Sequence, residues 1–414
     1  MGSAPVKRSG RAFTTALVAG AFWIGLVPIG NAQPPLRIGA SVSQTGPYAA
    51  TGQNQLRAYQ LCVKHTNDKG GVLGRRLVLV VEDDQSQPAT AARVYEKLIA
   101  QDRVDAILGP FSSVITEAVA DVAEKHRMAL VAPTAGVTSI YKKGRRFVFM
   151  MYSPSEVYLE GVIDMAAKRG LKTMALLHHA DEIFSKAVVQ GGLELAKKRG
   201  LSVVLVEAYP QGTTDFSAVL TKVRVANPDV LAAGTPVNDT VPITRQLREL
   251  NVNPKMFAVT VGVDLPQFYQ VLGRGAEFVY GPSQWEAELV TLRAGGLIPI
   301  ARQYPGAREF IEAHRKEYPG AELSYHSAAG YGGCQVLIEA IKRAGSLDSE
   351  KVRDAILKMD MNTVFGAFKV DPDGFQIAHK MVIFQWQDGK KVIVWPEELA
   401  PVKARFPTPP WSQR

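Results

Sequence analysis

Serine, threonine and aromatic side chains are concentrated in three short loops, each of which directly follows an apolar, strand-like segment. The loops span residues 43–48, 109–116 and 132–136. The second loop leads into a helical pattern, and the start of a helix offers unpaired backbone N–H groups and a partial positive charge. Because the hydroxyls of Ser112 and Ser113 would lie beside those groups, this loop could bind a carboxylate. Alternatively, one of these serines only caps the helix.

The elements that would hold these loops alternate regularly between strand and helix. Apolar strand-like runs alternate with helical patterns from residue 36 to residue 259, and the alternation restarts near residue 150. This order predicts an α/β fold of two doubly wound lobes, each with a parallel sheet that helices cover on both faces. Ligands of such sheets bind beyond the carboxyl ends of the strands, which is where the three loops fall.

The N-terminal segment indicates export from the cytoplasm. Basic residues precede an apolar run at residues 12–27, Pro28 ends the run, and small residues at positions 30 and 32 fit cleavage after Ala32. A single membrane anchor is the alternative, but the run is shorter than the roughly 20 residues that a spanning helix needs. We therefore predict a signal peptide at residues 1–32 and a periplasmic mature protein.

The composition excludes several other classes of protein. With 46% hydrophobic and 21% charged residues, the chain is typical of a globular protein. The formal net charge of +9 is spread along the sequence, and its densest cluster, residues 142–146, contains a glycine and is typical of a turn. We therefore expect no nucleic-acid binding. Cys62 and Cys334 could form a disulfide in an oxidising compartment or remain two buried thiols.

Motifs for catalysis or for holding a cofactor are missing from the sequence. It carries none of the common phosphate-binding, dinucleotide-binding or nucleophile-elbow patterns. His178, His179 and Asp181 could suggest a metal site, but neighbours on a strand point to opposite faces and cannot easily converge on one ion. We therefore expect a binding protein that is not an enzyme and that has neither a metal nor a cofactor.

Short motifs occur in a fixed order along nearly the whole mature chain. They are Ile38-Gly39 with Thr45-Gly46-Pro47, Asn67 with Gly70-Gly71 and Gly74, Asp83-Asp84, Gly109-Pro110 with Ser112-Ser113, Pro133-Thr134, Phe365-Gly366 with Phe368, Asp371 with Gly374, and Gln385-Trp386. No single motif is specific. In their order and spacing, however, they resemble the solute-binding components of ABC transporters, in the branched-chain amino acid (Leu/Ile/Val-binding) group.

The resemblance implies two lobes that are joined by three crossovers and close on a ligand by hinge movement. It implies that residues 33–153 and 284–362 form lobe 1 and that residues 154–283 and 363–395 form lobe 2. Residues 396–414 remain as a C-terminal tail, and we expect its proline-rich end, residues 401–414, to be loosely held. The implied partners are a small-molecule ligand and the membrane permease of an ABC importer, with the binding protein itself a monomer.

The resemblance also assigns roles to individual positions. Ser113 matches the family serine that holds the ligand carboxylate, and Thr134 with its loop neighbours matches the backbone that takes the amino group. Four positions depart from the family pattern, one of which is Thr51, where the family has an aromatic residue in the first loop. Gly136 replaces a threonine, Val261 falls where a carboxylate pairs with the ligand ammonium, and Phe184 falls where the second lobe has a tyrosine.

These departures predict a carboxylate ligand with an aromatic or aliphatic body that is not a free amino acid, because a buried ammonium without a counter-charge is costly. The candidate ligand-binding residues are Tyr48, Phe111, Ser112, Ser113, Thr116, Pro133, Thr134, Ala135, Gly136, Phe184, Val261 and Asp264, and Tyr152 and Trp285 could line the apolar part. Asp264 would revive an amino-acid ligand if its loop shifts by a few residues. The sequence is also compatible with a receptor for a branched-chain amino acid, another amino acid or an amide, or with the sensor subunit of a membrane signalling system.

Overall fold

The structure, a computed structural model, describes residues 1–7, 9–10, 33–290, 293–294, 298–299 and 303–414. Most of the predicted signal peptide, residues 1–32, lies outside the described residues. Pro34–Arg414 form one compact unit. Among the described helices, none combines the length and the apolar character needed to cross a membrane.

The strands and helices alternate over most of the chain. The strands are β1 Leu36–Val42, β2 Leu77–Asp83, β3 Ala106–Leu108, β4 Leu130–Ala132, β5 Val148–Met150, β6 Thr173–His179, β7 Ser202–Tyr209, β8 Val230–Gly234, β9 Met256–Val259, β10 Tyr280–Ser283, β11 Arg293–Ala294, β12 Ile298–Pro299, β13 Asp360–Thr363, β14 Gly366–Lys369, β15 Val382–Gln387 and β16 Lys390–Trp395.

The helices lie mainly between consecutive strands. They are α1 Ala49–Asp68, α2 Pro88–Ala100, α3 Ser113–Lys125, α4 Thr138–Tyr141, α5 Glu160–Lys168, α6 Ile183–Arg199, α7 Ser217–Ala226, α8 Thr240–Glu249, α9 Pro266–Leu272, α10 Ala307–Glu317, α11 Tyr325–Ala344 and α12 Ser349–Leu357. The sequence predicts one helix over residues 155–169. The structure instead has a 3₁₀ turn, Ser155–Val157, followed by α5.

Lobe 1 is built on a five-stranded sheet in the order β2-β1-β3-β4-β5. All of its strand pairs are parallel. Leu36, Ile38, Ala40 and Val42 lie on one face of β1 and are completely buried, and Gly39 and Ser41 on its other face are buried as well. A strand that helices cover on both faces buries residues of both orientations, which explains its nearly continuous apolar sequence.

Lobe 2 is built on a seven-stranded sheet in the order β16-β15-β10-β9-β8-β6-β7. Its strands β6 to β10 pair in parallel, as predicted, whereas β15 and β16 add an antiparallel edge. Asp388 and Gly389 join these last two strands, with φ angles of 51° and 75°. An Asp-Gly pair adopts such left-handed angles readily, so it is suited to a two-residue hairpin turn.

Three crossovers join the lobes, and the structure brings them together. The chain leaves the first sheet after β5, returns after β10, and enters the second sheet again at β15. The Gln284 side chain accepts a hydrogen bond from Ser153 N–H at 3.0 Å and donates one to the Ser153 carbonyl at 3.1 Å. His379 Nε2 lies 2.9 Å from the Gln284 carbonyl oxygen. One residue of each crossover therefore belongs to a single hydrogen-bonded group.

Cys62 of α1 and Cys334 of α11 form a disulfide, with their Cα atoms 6.4 Å apart. The two cysteines are 272 residues apart in sequence. The sequence left this pairing open. The bond joins the N-terminal part of lobe 1 to the segment that returns to it through the second crossover.

Residues 401–414 of the C-terminal tail, which the sequence predicts to be loosely held, make hydrogen bonds to lobe 2. The Thr408 N–H donates to the Lys255 carbonyl at 3.0 Å, and the Trp411 indole N–H donates to the Val252 carbonyl at 2.9 Å. Both acceptors precede β9. The tail is therefore part of the packed surface of lobe 2.

Candidate ligand-binding site

A cavity with about 440 Å³ of empty space lies where the carboxyl ends of strands from both sheets meet. Its lobe 1 wall consists of Tyr48, Phe111, Ser112, Ser113, Thr134, Gly136, Tyr152, Tyr325 and His326, and its lobe 2 wall of Tyr158, Glu182, Phe184, Pro236, Val237 and Val261. Eight of the twelve candidate residues from the sequence line this cavity. The three loops that carry most of the lobe 1 wall are those in which the sequence concentrates hydroxyls.

The start of α3 supplies donors to the lobe 1 wall. Ser113, the first residue of the helix, is only 3% exposed, and its Oγ accepts a hydrogen bond from the Gly136 N–H at 3.2 Å. The Ser113 hydroxyl proton therefore remains available to a ligand. Ser112 occupies the N-cap position, but its side chain makes no capping hydrogen bond to the helix. The arrangement suits an anionic group near the unpaired N–H groups of this helix.

Buried hydrogen bonds hold the neighbouring loops in place. The Thr134 hydroxyl donates to Gln55 Oε1 at 2.8 Å, and Gln55 Nε2 donates to the Gly109 carbonyl at 2.8 Å. The Tyr59 hydroxyl donates to the same carbonyl at 2.7 Å. Two loops of the lobe 1 wall are thus fixed through side chains of α1, which preorganises the wall for its ligand.

Four candidate residues do not line the cavity. Thr116 and Ala135 are completely buried, and Pro133 is buried beside them. Asp264 is 1% exposed, and its Oδ1 accepts the Gly262 N–H at 3.1 Å. These residues lie behind the cavity surface. Trp285, a suggested apolar contact, is likewise buried and packs on Phe310.

Glu182 is a wall residue that sequence reasoning missed. It is the N-cap of α6, and its Oε2 accepts hydrogen bonds from the Ser185 backbone N–H at 2.7 Å and from the Ser185 hydroxyl at 3.0 Å. Burial raises the pKa of the Glu182 carboxyl above its ordinary value. Among the described residues that line the cavity, Glu182 is the only acid, and no lysine or arginine accompanies it.

The Glu182 carboxylate affects the pKa of a tyrosine in the opposite wall of the cavity. The pKa of Tyr48 in the lobe 1 wall is raised to about 12, mainly by burial and secondly by the Glu182 carboxylate. Asp239 adds to this effect from behind the lobe 2 wall, where it accepts a hydrogen bond from the Tyr209 hydroxyl at 2.9 Å. The lobe 2 side of the cavity is therefore negative, whereas the start of α3 provides donors on the lobe 1 side.

Aromatic rings form much of the remaining surface. Phe111 packs edge-on against Tyr48 and His326, with ring centroids 5.4 Å and 5.2 Å apart. His326 also stacks on Tyr325 at 4.0 Å. Burial lowers the pKa of His326 to about 3, so its ring is neutral at physiological pH. The rings offer an apolar surface with polar edges to a ligand.

Three of the wall residues that sequence reasoning missed lie in loops that follow strands of lobe 2. The expectation that such loops bind the ligand was applied only to lobe 1. Pro236 and Val237 follow the end of β8 by two and three residues, and Glu182 follows the end of β6 by three residues. Ligand loops at the carboxyl ends of strands would have included all three. Tyr158, Tyr325 and His326 carry no such signal, because the crossovers bring them to the cavity.

A metal site is not evident at the histidines considered in the sequence. Within the described part of the chain, no group of three or more His, Cys, Asp or Glu side chains is arranged to hold a metal ion. His179 Nδ1 instead accepts the Asp181 N–H at 3.2 Å, and His178 Nδ1 lies 3.0 Å from the His179 carbonyl oxygen. One ring nitrogen of each histidine therefore contacts the nearby backbone.

Two proteins that are named as Leu/Ile/Val-binding homologues are similar in sequence to almost the whole chain. Leu/Ile/Val-binding protein homolog 7 of Brucella melitensis biotype 1 is 26% identical over 412 residues, which cover 95% of this chain and 98% of the relative. Leu/Ile/Val-binding protein homolog 8 of Brucella abortus is 26% identical over 392 residues, which cover 90% and 93%.

Solved structures share the two-lobed fold. A leucine binding protein, LivK from Thermotoga maritima, has a TM-score of 0.78 at 25% identity and covers 88% of this chain and 100% of its own. The branched-chain amino acid transporter substrate binding protein LivJ from Streptococcus pneumoniae, in complex with isoleucine, has a TM-score of 0.75 at 23% identity and covers 86% and 97%.

The match to a protein family confirms the resemblance that the sequence motifs suggest. The periplasmic binding protein family matches residues 35–391, a range that includes all the described residues lining the cavity. The family consists of solute-binding receptors, and membership indicates a location outside the cytoplasm. The chain therefore belongs to the periplasmic binding protein family.

Proposed function

We propose that the protein is the solute-binding component of an ABC importer and that it captures an α-amino acid as a zwitterion. The observation that carries this proposal is that one cavity has hydrogen-bond donors for an anion on one wall and a carboxylate for a cation on the other. Ser113 and the start of α3 suit the carboxylate, and the Glu182 carboxylate suits the ammonium group. Closure of the two lobes around the ligand would bring each charged group to its partner.

A carboxylate ligand without an ammonium group, as predicted from Val261, is not confirmed and fits the cavity less well. Such a ligand would add a second buried negative charge to that of Glu182, with no cationic side chain in the described cavity wall. Like charges in a buried site oppose each other strongly. In our proposal Glu182 supplies the carboxylate that is missing at Val261, from a different loop of lobe 2.

The relatives support the same class of ligand. The Brucella proteins are named as Leu/Ile/Val-binding homologues, and the Streptococcus pneumoniae protein was solved with isoleucine. We propose that the partner is a membrane permease and that the mature protein, a monomer, begins after Ala32. We also propose that residues 33–153 and 284–362 form lobe 1, that residues 154–283 and 363–395 form lobe 2, and that residues 396–414 form a tail.

Calorimetric titration with matched ligands tests the proposal. Leucine is compared with 4-methylpentanoate, and phenylalanine with 3-phenylpropionate, because each pair differs only in the amino group. We expect at least one amino acid to bind roughly a hundredfold more tightly than its deaminated analogue, as removing one partner of a buried ion pair commonly costs about 2–5 kcal/mol.

The variant Glu182→Gln identifies the source of this discrimination. It keeps an oxygen that can cap α6 but removes the charge, so the preference for the amino acid should largely disappear. Glu194→Gln is the matched control, because Glu194 is an exposed acid on the same helix. Equal or tighter binding of the deaminated acids by the unmodified protein would contradict the proposal.

A further inference from the structure

Tyr152 is a buried tyrosine of the cavity wall whose ring is held between two other rings. It is 3% exposed and follows β5 by two residues. Its ring stacks on Phe365 at a centroid distance of 5.8 Å and lies 5.9 Å from the ring of Tyr325. Phe365 in turn stacks on His379 at 4.2 Å. Neighbouring rings therefore hold the Tyr152 ring in place within the cavity wall.

The Tyr152 hydroxyl has no hydrogen-bond partner among the described residues. Three other buried tyrosines are paired. The Tyr141 hydroxyl donates to the Ala135 carbonyl at 2.8 Å, the Tyr280 hydroxyl donates to the Arg405 carbonyl at 3.2 Å, and the Tyr158 hydroxyl accepts from Gln284 Nε2 at 3.1 Å. An unpaired buried hydroxyl is costly to a folded protein, so its place in a cavity wall points to a ligand atom as its partner.

Charges behind this part of the wall limit what the partner can be. Asp264 and Glu286 are both close enough to raise the pKa of Tyr325, after the larger effect of burial. They would oppose an anionic ligand group. Lys391 forms an ion pair with Glu286 at 3.0 Å. A cationic ligand group has no lone pair to accept the hydrogen bond that the Tyr152 hydroxyl is free to donate. A neutral oxygen is therefore the group that best fits beside Tyr152.

We propose that the ligand is an α-amino acid whose side chain carries a neutral hydrogen-bonding oxygen, an amide or a hydroxyl, and that Tyr152 donates a hydrogen bond to it. This inference rests on the proposed amino-acid function and narrows it. An aliphatic side chain would leave the Tyr152 hydroxyl unpaired in the closed cavity. A site with a buried donor rejects ligands that lack the matching acceptor.

Titration calorimetry with near-isosteric amino acids tests the inference. The pairs are threonine and valine, glutamine and methionine, and tyrosine and phenylalanine, and each pair differs mainly in the presence of a side-chain oxygen. We expect the unmodified protein to bind the oxygen-bearing member of at least one pair roughly tenfold to a hundredfold more tightly. The variant Tyr152→Phe should lose that preference and bind the apolar member as tightly as before, or more tightly.

The melting temperature of each ligand-free variant separates an effect on ligand recognition from an effect on folding stability. Because Tyr152→Phe removes an unpaired buried hydroxyl, the ligand-free variant should melt at the same temperature as the unmodified protein or higher. Tyr280→Phe is the control, since it removes a paired hydroxyl that does not line the cavity. It should lower the melting temperature and leave the ligand preference unchanged.

Each remaining outcome has a defined meaning. Tighter binding of valine, methionine and phenylalanine, or a preference that survives in Tyr152→Phe, overturns the inference but leaves the amino-acid function intact. Tighter binding of lysine or glutamate than of all six probes also overturns it. If no amino acid binds, the proposed function fails and the inference fails with it.

Discussion

The lobe 1 wall and the lobe 2 wall of the cavity differ in both chemistry and construction. The lobe 1 wall presents neutral donors, and buried hydrogen bonds to Gln55 and Tyr59 fix its loops. The lobe 2 wall presents one carboxylate, Glu182, among apolar side chains such as Val237 and Val261. In the function that we propose, lobe 1 binds the anionic end of the ligand, and lobe 2 provides the counter-charge for its cationic end.

The disulfide allows the largest test of this comparison, because both of its cysteines lie in helices of lobe 1. The double variant Cys62→Ala, Cys334→Ala should lower the free energy of unfolding by about 2–5 kcal/mol, since the bond constrains a long loop of the unfolded chain. Hydrogen exchange should accelerate more in α1 and α11, which the bond joins directly, than in β6 to β9. Equal acceleration in both lobes would show that the lobes do not differ in this way.

Asp264 gives a pH-dependent test in lobe 2. Burial raises the pKa of this carboxyl from its usual 3.8 to about 6. The folded protein therefore binds a proton between about pH 4 and pH 6 that the unfolded chain releases, so stability falls as the pH rises through that window. Asp264→Asn, which does not titrate, should raise the free energy of unfolding by about 2 kcal/mol at pH 8 and have little effect at pH 4.

A second aspartate of lobe 2 provides the opposite control for Asp264. An ion pair with Lys255 at 2.7 Å and backbone hydrogen bonds hold the pKa of Asp229 at about 2, although burial opposes them. Asp229→Asn should therefore destabilise the protein above pH 4. Chemical denaturation of both variants at several pH values measures the two effects, and shifts of the same sign would contradict the assignment.

Ser113 and Thr116 give the smallest test, within the lobe 1 wall itself. Both lie in the first turns of α3, but only Ser113 lines the cavity. Ser113→Ala should weaken amino-acid binding by about 1 kcal/mol, or roughly fivefold, because one hydrogen bond to the carboxylate is lost. Thr116→Ala should lower the melting temperature without changing affinity. The reverse pattern, measured by calorimetry and thermal unfolding, would move the anion site away from Ser113.

The lobe 1 wall could be predicted from the sequence, because its signals are local. Ser112 and Ser113 lie at the junction of a strand-like run and a helical pattern, and Thr134 follows the next strand. The lobe 2 wall could not be predicted in the same way. Glu182 has the sequence context of a helix cap, and it does cap α6. That it also lines the cavity depends on how the two lobes face each other.

The fold shows the same limit. The alternation of strands and helices predicted two parallel sheets, but it missed β5, which is only three residues long. It also did not predict the antiparallel edge of lobe 2, although Asp388-Gly389 is a hairpin signal between two apolar runs. Strand partners are chosen by contacts between distant segments, and short strands carry little local pattern.

The sequence by itself determined the α/β alternation, the family resemblance and the donor-rich start of α3, because these depend on spacing over a few residues. Only the tertiary structure decided that Cys62 pairs with Cys334, that Glu182 and Ser113 share one cavity, and that the Tyr152 hydroxyl has no described partner. These features join segments far apart in the chain, and the sheet order and crossovers that bring them together are set by the packing of the whole molecule.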